Sequence, residues 1–428
     1  MGFTARPHRT LLALREAYGP VVEFGMGPGR IVAVFGPEAN AFLFGHDELF
    51  SNWEVFETVA PLSGETALLL SDGEAHRRRR RVAASGFTRR GIEGYVPAFT
   101  RNADRVIDGW RPGERVDLHQ EFRRTIRRAT IEVLFGPDLA GDADRIGDML
   151  APLLSFVDCD AVTQQFQRAV GGRRLRAALA GRAQVDDLVR AELARRSSEV
   201  GGPPRDDLLS RFAAPVDGAE LTEAEVFDQV VSLVVAAYET TAAAMAWACM
   251  TLLRAPAITE RIRAEVTGVC GDAPPTAEDL PRLAFLDRVV QETLRLYPPA
   301  SISGRYVQHG FRLHGHDIDP GTTLLFSPLV THRDPAVWDR ATTFLPDRWD
   351  PDGPLYRRPE PGAFIPFGGG PHRCLGAQLA VAELTVLLAR LVVRTELDPV
   401  PAPVRLTGFL AMQPKDGVPA VVRSLRSL

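Results

Sequence analysis

Lysine is almost missing from this chain: of its 50 lysine and arginine residues, only Lys415 is lysine. Arginine in place of lysine is what GC-rich coding produces, so the bias points to a high-GC bacterium and carries no mechanism. Cysteine is scarce as well. Cys159, Cys249, Cys270 and Cys374 lie far apart and form no C-x-x-C pair, which excludes a disulfide framework and the usual zinc spacings and fits a reduced, cytoplasmic setting. Neither charge sign dominates, and a formal net charge of −4 argues against nucleic acid as the main partner. An apolar leader is also missing: Arg6, His8, Arg9, Arg15 and Glu16 interrupt the first eighteen residues, so neither a signal sequence nor a membrane anchor can be drawn there. No internal repeat or long low-complexity segment is present. What remains is the composition of a globular protein with ample core, 45% hydrophobic and 24% charged.

The chain is organised around Phe367-Gly368-Gly369-Gly370-Pro371-His372-Arg373-Cys374-Leu375-Gly376. From Leu379 to Val393 only Glu383 and Arg390 are charged, which predicts a largely buried helix with Cys374 just ahead of it or in its first turn. A helix N-terminus offers partial positive charge and unpaired N–H groups, and both lower a thiol pKa. The glycines let backbone pass close to a bulky planar ligand. A single soft sulfur ligand suits an iron already held in a macrocycle.

Residues 20–36 read as two β-rich runs about a Gly-Pro-Gly turn, a hairpin. Residues 37–45 predict a short helix, and 52–72 a loop whose apolar members, among them Trp53, Phe56, Val59, Leu62 and Leu68, suit a lid over a pocket. The run Arg77–Arg81 opens a helix with His76 and Arg80 on one face, while Arg77, Arg78 and Arg81 read as solvated. Amphipathic helices alternate with breaks at 112–113, 136–137 and 171–172, and 201–204 reads as a surface loop. Thr222-x-x-Glu225 is a capping-box pattern that opens a proline-free helix of about 33 residues, roughly 50 Å long. Its stretch from Val230 to Leu253 is nearly all apolar, yet Glu239, Thr240 and Thr241 notch the middle, which favours a buried central helix over a membrane span. A second helix, about 282–296, carries Glu292 and Arg295 one turn apart. Residues 311–328 read as short β pieces about Pro320-Gly321, and 333–366 as an irregular meander.

With His372 two residues before Cys374, F-x-x-G-x-x-x-C-x-G resembles the haem-thiolate signature of the cytochrome P450 family. The resemblance extends to other residues. Ala236-Ala237-Tyr238-Glu239-Thr240-Thr241 is similar to the family's oxygen-activation motif, which implies a proton-relay role for Glu239 and Thr240. Ala237 departs from it, because the family usually has glycine there. H-x-x-x-R from His76 to Arg80 resembles the element that grips a haem propionate, and Arg305, His332 and His372 would join it. The E-x-x-R pair Glu292 and Arg295, completed by Arg348, implies a buried ion-pair knot under the cysteine loop. Phe367, Gly368 and Gly376 would cradle the haem, and Gly408 to Gln413 resembles a β-turn that reaches into the pocket.

The expectation is therefore a mainly α protein with small β-sheets, an α+β fold forming one P450-type domain over residues 1–428, with the ligand loop at 367–376 and the central helix at about 223–255. The resemblance implies haem b bound through Cys374 and hydroxylation, or another oxidation, of a hydrophobic small molecule in secondary metabolism, and the mostly apolar pocket stretches 53–70, 233–240, 300–303 and 408–413 suit a terpenoid, fatty acyl or polyketide-like compound. No G-x-G-x-x-G lies between a strand and a helix, so electrons from NAD(P)H are expected to arrive through a separate ferredoxin and ferredoxin reductase, with the arginine run as a surface for an acidic donor. Two alternatives stay open: a peroxide-using or non-oxygen-inserting haem-thiolate enzyme, and a haem-binding sensor or electron carrier.

Overall fold

The computed structural model describes residues 7–24, 30–159, 161–198, 207–214, 220–401, 403–408 and 410–426. The Gly-Pro-Gly turn of the N-terminal hairpin, the 201–204 loop and Phe409 lie outside them. The predicted hairpin strands Val21–Phe24 and Ile31–Val34 pair antiparallel. Ile31–Val34 then runs parallel to Thr323–Phe326, and Ser303–Val307 and Phe50–Ser51 complete a five-stranded sheet. A three-stranded sheet joins Arg115–Asp117, Pro419–Leu425 and Thr395–Pro399, and two-stranded ribbons form at 311–318 and 406–414. Helix accounts for most of the rest.

The central helix, Glu223–Arg254, is fixed at its start by the predicted capping box. Thr222 Oγ1 accepts from the Glu225 N–H at 3.3 Å, and the Thr222 N–H donates to the Glu225 carboxylate at 2.9 Å. It stops at Ala255, because Pro256 opens the next helix, Pro256–Cys270. From Tyr238 to Met250 nearly every side chain is buried. The apolar segment therefore faces protein, against helices Leu118–Phe135, Ala284–Leu296 and Ala377–Arg394, with Phe99, Phe122 and Leu387 in the same core. Among the described residues, two helical segments, 223–254 and 370–394, are long and apolar enough to cross a membrane, and both are mostly buried inside the domain. Trp247 anchors the middle: its indole N–H donates to the Met412 carbonyl at 2.7 Å and its ring stacks on Tyr297.

Two expectations fail here. The 52–72 stretch is a chain of short helical turns, Trp53–Phe56, Glu57–Val59, Ala60–Ser63 and Leu68–Leu70. The central helix holds it down: Asp228 accepts from the Thr66 N–H and hydroxyl at 2.9 and 2.6 Å, and Gln229 accepts from the Leu68 N–H at 3.1 Å. At Gly64, with φ +92, a Cβ would sit on the Asp228 carboxylate. Nor is Arg78 a free solvated charge. On the helix Gly73–Ala84, Arg78 and Arg79 both reach the buried Glu225 carboxylate. Burial pushes Glu225 up, but the hydrogen bonds from Arg78, the Thr222 N–H and Arg79 outweigh it and hold the acid at about 2.

The E-x-x-R knot forms as expected. Glu292 and Arg295 are fully buried, and Arg295 grips the carboxylate with two parallel bonds of 2.9 and 2.8 Å. Arg348 Nε at 3.0 Å, the Trp349 indole N–H at 2.9 Å and the Leu345 N–H at 2.9 Å donate to the same carboxylate. The remaining guanidinium donors go to carbonyls: Arg295 to His332, Ala341 and Thr343, Arg348 to Asp339 and Arg340. Glu292→Ala strands two buried cations and should cost about 3 to 5 kcal/mol of unfolding free energy in chemical denaturation. A loss within the ~1 kcal/mol typical of exposed pairs would show that the knot does not carry the meander.

Candidate active site

Cys374 leaves the 3-10 turn Gly370–His372 just before helix Ala377–Arg394. Its N–H donates to the Phe367 carbonyl at 2.8 Å, which closes the loop into a ring. Gly368, at φ +65, turns the chain where a Cβ would meet nothing within 4 Å. Gly369 and Gly370 have a different reason: a Cβ there would run into Phe44, so these two admit the short helix Pro37–Gly45 rather than a ligand. The sulfur lies deep in the domain yet is accessible, so it opens onto an internal cleft. Burial raises its pKa, against the expectation from the helix terminus, while the Gly376 N–H, Arg80 and Arg373 pull it down. A bound metal ion removes such a proton.

A second accessible surface lies on the central helix. Leu233, Ala236, Ala237 and Thr240 share one face at three- and four-residue spacing and stay open, whereas Tyr238, Glu239 and Thr241 are buried. The Thr240 hydroxyl donates to the Ala236 carbonyl at 2.7 Å. With alanine at 237 the helix continues unbroken. Glu239 turns away from this face and is gripped by Arg123 of helix Leu118–Phe135, with Nε at 2.9 Å and a second, shorter contact. Arg123 was not legible as a site residue, since it is one of several arginines on an amphipathic helix.

Four of the five expected propionate residues come together. His76 and His372 stack with ring centres 4.0 Å apart. Arg305 is buried and donates to the Gly304 carbonyl at 2.8 Å, and Arg80 donates to the Arg373 carbonyl at 2.7 Å. No carboxylate among the described residues pairs with either guanidinium within 4 Å. Burial, then the charges of His372 and Arg80, lower His76 to about 4 against the pull of Asp47 and Asp72; burial, then Arg305, lower His372 to about 4. Asn52 and Asp72 complete the group unannounced by the sequence. Asn52 Nδ2 reaches His372 Nε2 at 3.0 Å, and Asp72 accepts from Ser51, Asn52 and Trp53.

His332 is the correction. It is fully buried with both ring nitrogens occupied, Nδ1 3.1 Å from the Arg295 carbonyl and Nε2 accepting from the Ile365 N–H at 2.8 Å. It braces the E-x-x-R knot and has nothing left for a ligand. The 300–303 pocket segment also turns inward in part: Ser301 is buried with its carbonyl on Ser327, and Ile302 packs with Leu11, Val22 and Phe35. An accessible soft sulfur and two cations with no carboxylate within 4 Å, though Asp47 and Asp72 lie near enough to act on Arg305, fit a flat, iron-centred macrocycle with acidic side arms.

The sequence model of the family described as Cytochrome P450 matches residues 2–417. A Mycobacterium tuberculosis protein named cytochrome P450 139 is 42% identical over 419 residues, 96% of this chain and 97% of that protein. Cyclooctat-9-en-7-ol 5-monooxygenase of Streptomyces melanosporofaciens is 32% identical over 414 residues, 94% of this chain and 87% of its own length. Among solved structures, the retinoic-acid-bound cyanobacterial CYP120A1 superposes with a TM-score of 0.84 at 25% identity, over 96% of this chain and 93% of its own.

Buried His332 sets a pH dependence. Its ordinary value is 6.5, and burial, with the charge of Arg295, lowers it to about 3, so the unfolded chain takes up the proton first. Stability is complete above the unfolded pKa and falls as pH drops from there toward the folded value. Thermal midpoints measured across that window should decline, and His332→Gln should make the decline shallower. A midpoint that stays flat down to pH 4 would contradict the neutral assignment.

Proposed function

Because the chain belongs to the cytochrome P450 family, we propose that this monooxygenase oxidises a hydrophobic small molecule of terpenoid type in secondary metabolism, with NAD(P)H electrons delivered by a separate ferredoxin and ferredoxin reductase. The observation that carries the reading is the pairing of an accessible Cys374 sulfur with unpaired Arg305 and Arg80. Cys374 would hold the iron of haem b, and Arg305, Arg80, His76 and His372 its propionates. Haem, when bound, supplies the oxygen-activating redox chemistry.

The chain's own residues do the rest. Leu233, Ala236 and Ala237 give the cleft an apolar wall that excludes water and offers few polar contacts, which suits an isoprenoid skeleton. The named substrate of the Streptomyces relative, cyclooctat-9-en-7-ol, and the retinoic acid of the cyanobacterial structure support that class. Thr240 keeps lone pairs free while its proton rests on the Ala236 carbonyl, so rotation of the hydroxyl hands a proton to the cleft. Glu239 can pass a proton on only after it has released Arg123, which is itself partly exposed, and has taken one up from water there. Of the arginine run, Arg81 is exposed and has no carboxylate partner among the described residues, leaving a charge for an acidic donor.

Cys374→Ala should abolish the red-shifted Soret band of the ferrous–CO complex, and a variant that keeps the band removes Cys374 as the ligand. Thr240→Ala should leave substrate binding nearly unchanged and divert NAD(P)H into peroxide or water. An unchanged ratio of NAD(P)H consumed to product formed would reduce Thr240 to the helix back-bonder seen in its Ala236 contact.

A second reading rests on one feature, the unbroken helix through Ala237, which favours peroxide use or chemistry without oxygen insertion. Isotopically labelled O₂ separates the two. Label in the product, with Ala237→Gly changing coupling only a few-fold, supports the monooxygenase. Turnover with peroxide alone supports the rival, and no turnover at all supports a sensor or carrier.

A further inference from the structure

Helix Leu118–Phe135 sets His119, Arg123 and Arg127 on one face at four-residue spacing, and that face meets Tyr238 and Glu239 of the central helix. Buried polar atoms without a partner gather in the seam between the two helices. His119, Arg127 and Tyr238 are 4%, 6% and 0% exposed, and His119 Nε2, Arg127 Nε and Tyr238 Oη make no hydrogen bond among the described residues. Native interiors rarely leave such groups bare, and where protein offers no partner an ordered water does.

The bare groups surround the Glu239 carboxylate. The guanidiniums of Arg123 and Arg127 stand 5.6 and 5.8 Å from the centre of the Tyr238 ring. Tyr238 Oη lies near enough to Glu239 and Arg123 to feel their charges, yet bonds to neither. His119 also feels Glu239 and Arg123, and burial lowers its pKa, so its ring is neutral and offers one donor and one acceptor. On the outer side, Gly147 of helix Ala143–Val157 makes room, since a Cβ there would stand 2.2 Å from the Arg127 guanidinium. Arg127 pairs with the exposed Asp144, so the seam joins solvent at Asp144 and at partly exposed Arg123 to the buried acid. The charges decide what it can hold. A metal cation would meet two guanidiniums, and an anion would lie against Glu239. Water both donates and accepts, as an imidazole nitrogen, a hydroxyl and a guanidinium N–H together require.

We propose that this seam binds internal water at His119 Nε2 and Tyr238 Oη, and that this water delivers the proton to Glu239. The proposal rests on the reading of Glu239 as a relay residue. A proton taken from bulk water at the outer end passes along the bound water to the carboxylate. Glu239 leaves Arg123 as it becomes a neutral acid, and the ion pair re-forms when the proton moves on. His119 and Tyr238 are positioning residues: they hold the water and do not ionise.

The first test is structural. A crystal structure of the haem-loaded enzyme should show ordered water within hydrogen-bond distance of His119 Nε2 and of Tyr238 Oη, and Tyr238→Phe should lose the second. The other test is kinetic. His119→Leu and Tyr238→Phe should each slow product formation about tenfold, less than the ~10²- to 10⁴-fold of a group that transfers the proton directly. Both should raise the solvent isotope effect on that rate, and His119→Gln, which restores a polar atom, should recover most of it. All variants should keep the ferrous–CO band of the wild type. Glu239→Gln separates the two readings. If it is slow while His119→Leu and Tyr238→Phe keep the wild-type rate and isotope effect, this proposal fails alone; if Glu239→Gln is itself without effect, the relay reading falls and this one with it. A dry seam in the crystal, with Tyr238 Oη bonded directly to Glu239, also overturns the proposal.

Discussion

One buried carboxylate fastens the part of the chain with the least regular structure of its own. Residues 333–366 form a meander with one short 3-10 turn, Pro346–Trp349, and its carbonyls would be unsatisfied in the interior without the guanidiniums of Arg295 and Arg348. Those cations are in turn tolerable only because Glu292 offsets one of the two charges and the backbone carbonyls take up the remaining donors. Removing any one partner leaves a charge or several dipoles without compensation, so the group persists as a unit or not at all. His332, lodged between the Arg295 carbonyl and the Ile365 N–H, extends that unit to the residues just before the cysteine loop.

The loop inherits its shape from this support and from close packing on Phe44. It keeps the Cys374 sulfur surrounded by protein and at the same time accessible, two conditions that oppose each other. Depth raises the cost of the thiolate, and the Gly376 N–H, Arg80 and Arg373 offset part of that cost. Across the molecule the central helix meets a similar conflict. It is buried almost throughout, yet keeps four small or medium side chains clear on one face. The cytochrome P450 fold resolves both conflicts by spending its length on a surrounding core, which is why so few of its residues touch chemistry.

What the sequence disclosed follows from locality. The capping box, the proline that ends the central helix, the E-x-x-R pair and the cysteine loop are each encoded within ten residues, and the first three form as their patterns predict. His76 and Arg80 are legible as a pair for the same reason, as i, i+4 neighbours. Long-range partners are not. Arg123 meets Glu239 from 116 positions away, and Asn52 meets His372 from 320; neither carries a local signal. A histidine that braces backbone, as His332 does, and one that binds a ligand look alike in a string. The 52–72 stretch reads as loop because its turns are too short for a helical period, and the contacts that hold it come from Asp228 and Gln229.

Glu225 shows how much one residue can be asked to do. It caps the central helix, and it also receives Arg78 and Arg79 from the helix that carries His76 and Arg80, so the floor and the spine of the domain are joined at a single side chain. For drift among related sequences this makes the position narrow in both size and charge. Aspartate is one methylene too short to reach back to Thr222 and outward to two arginines together, and glutamine keeps the length but abandons the ion pairs. A lineage that loses Glu225 must therefore change Arg78 and Arg79 in step, which makes these three positions a covarying set even though 146 residues separate Arg79 from its partner.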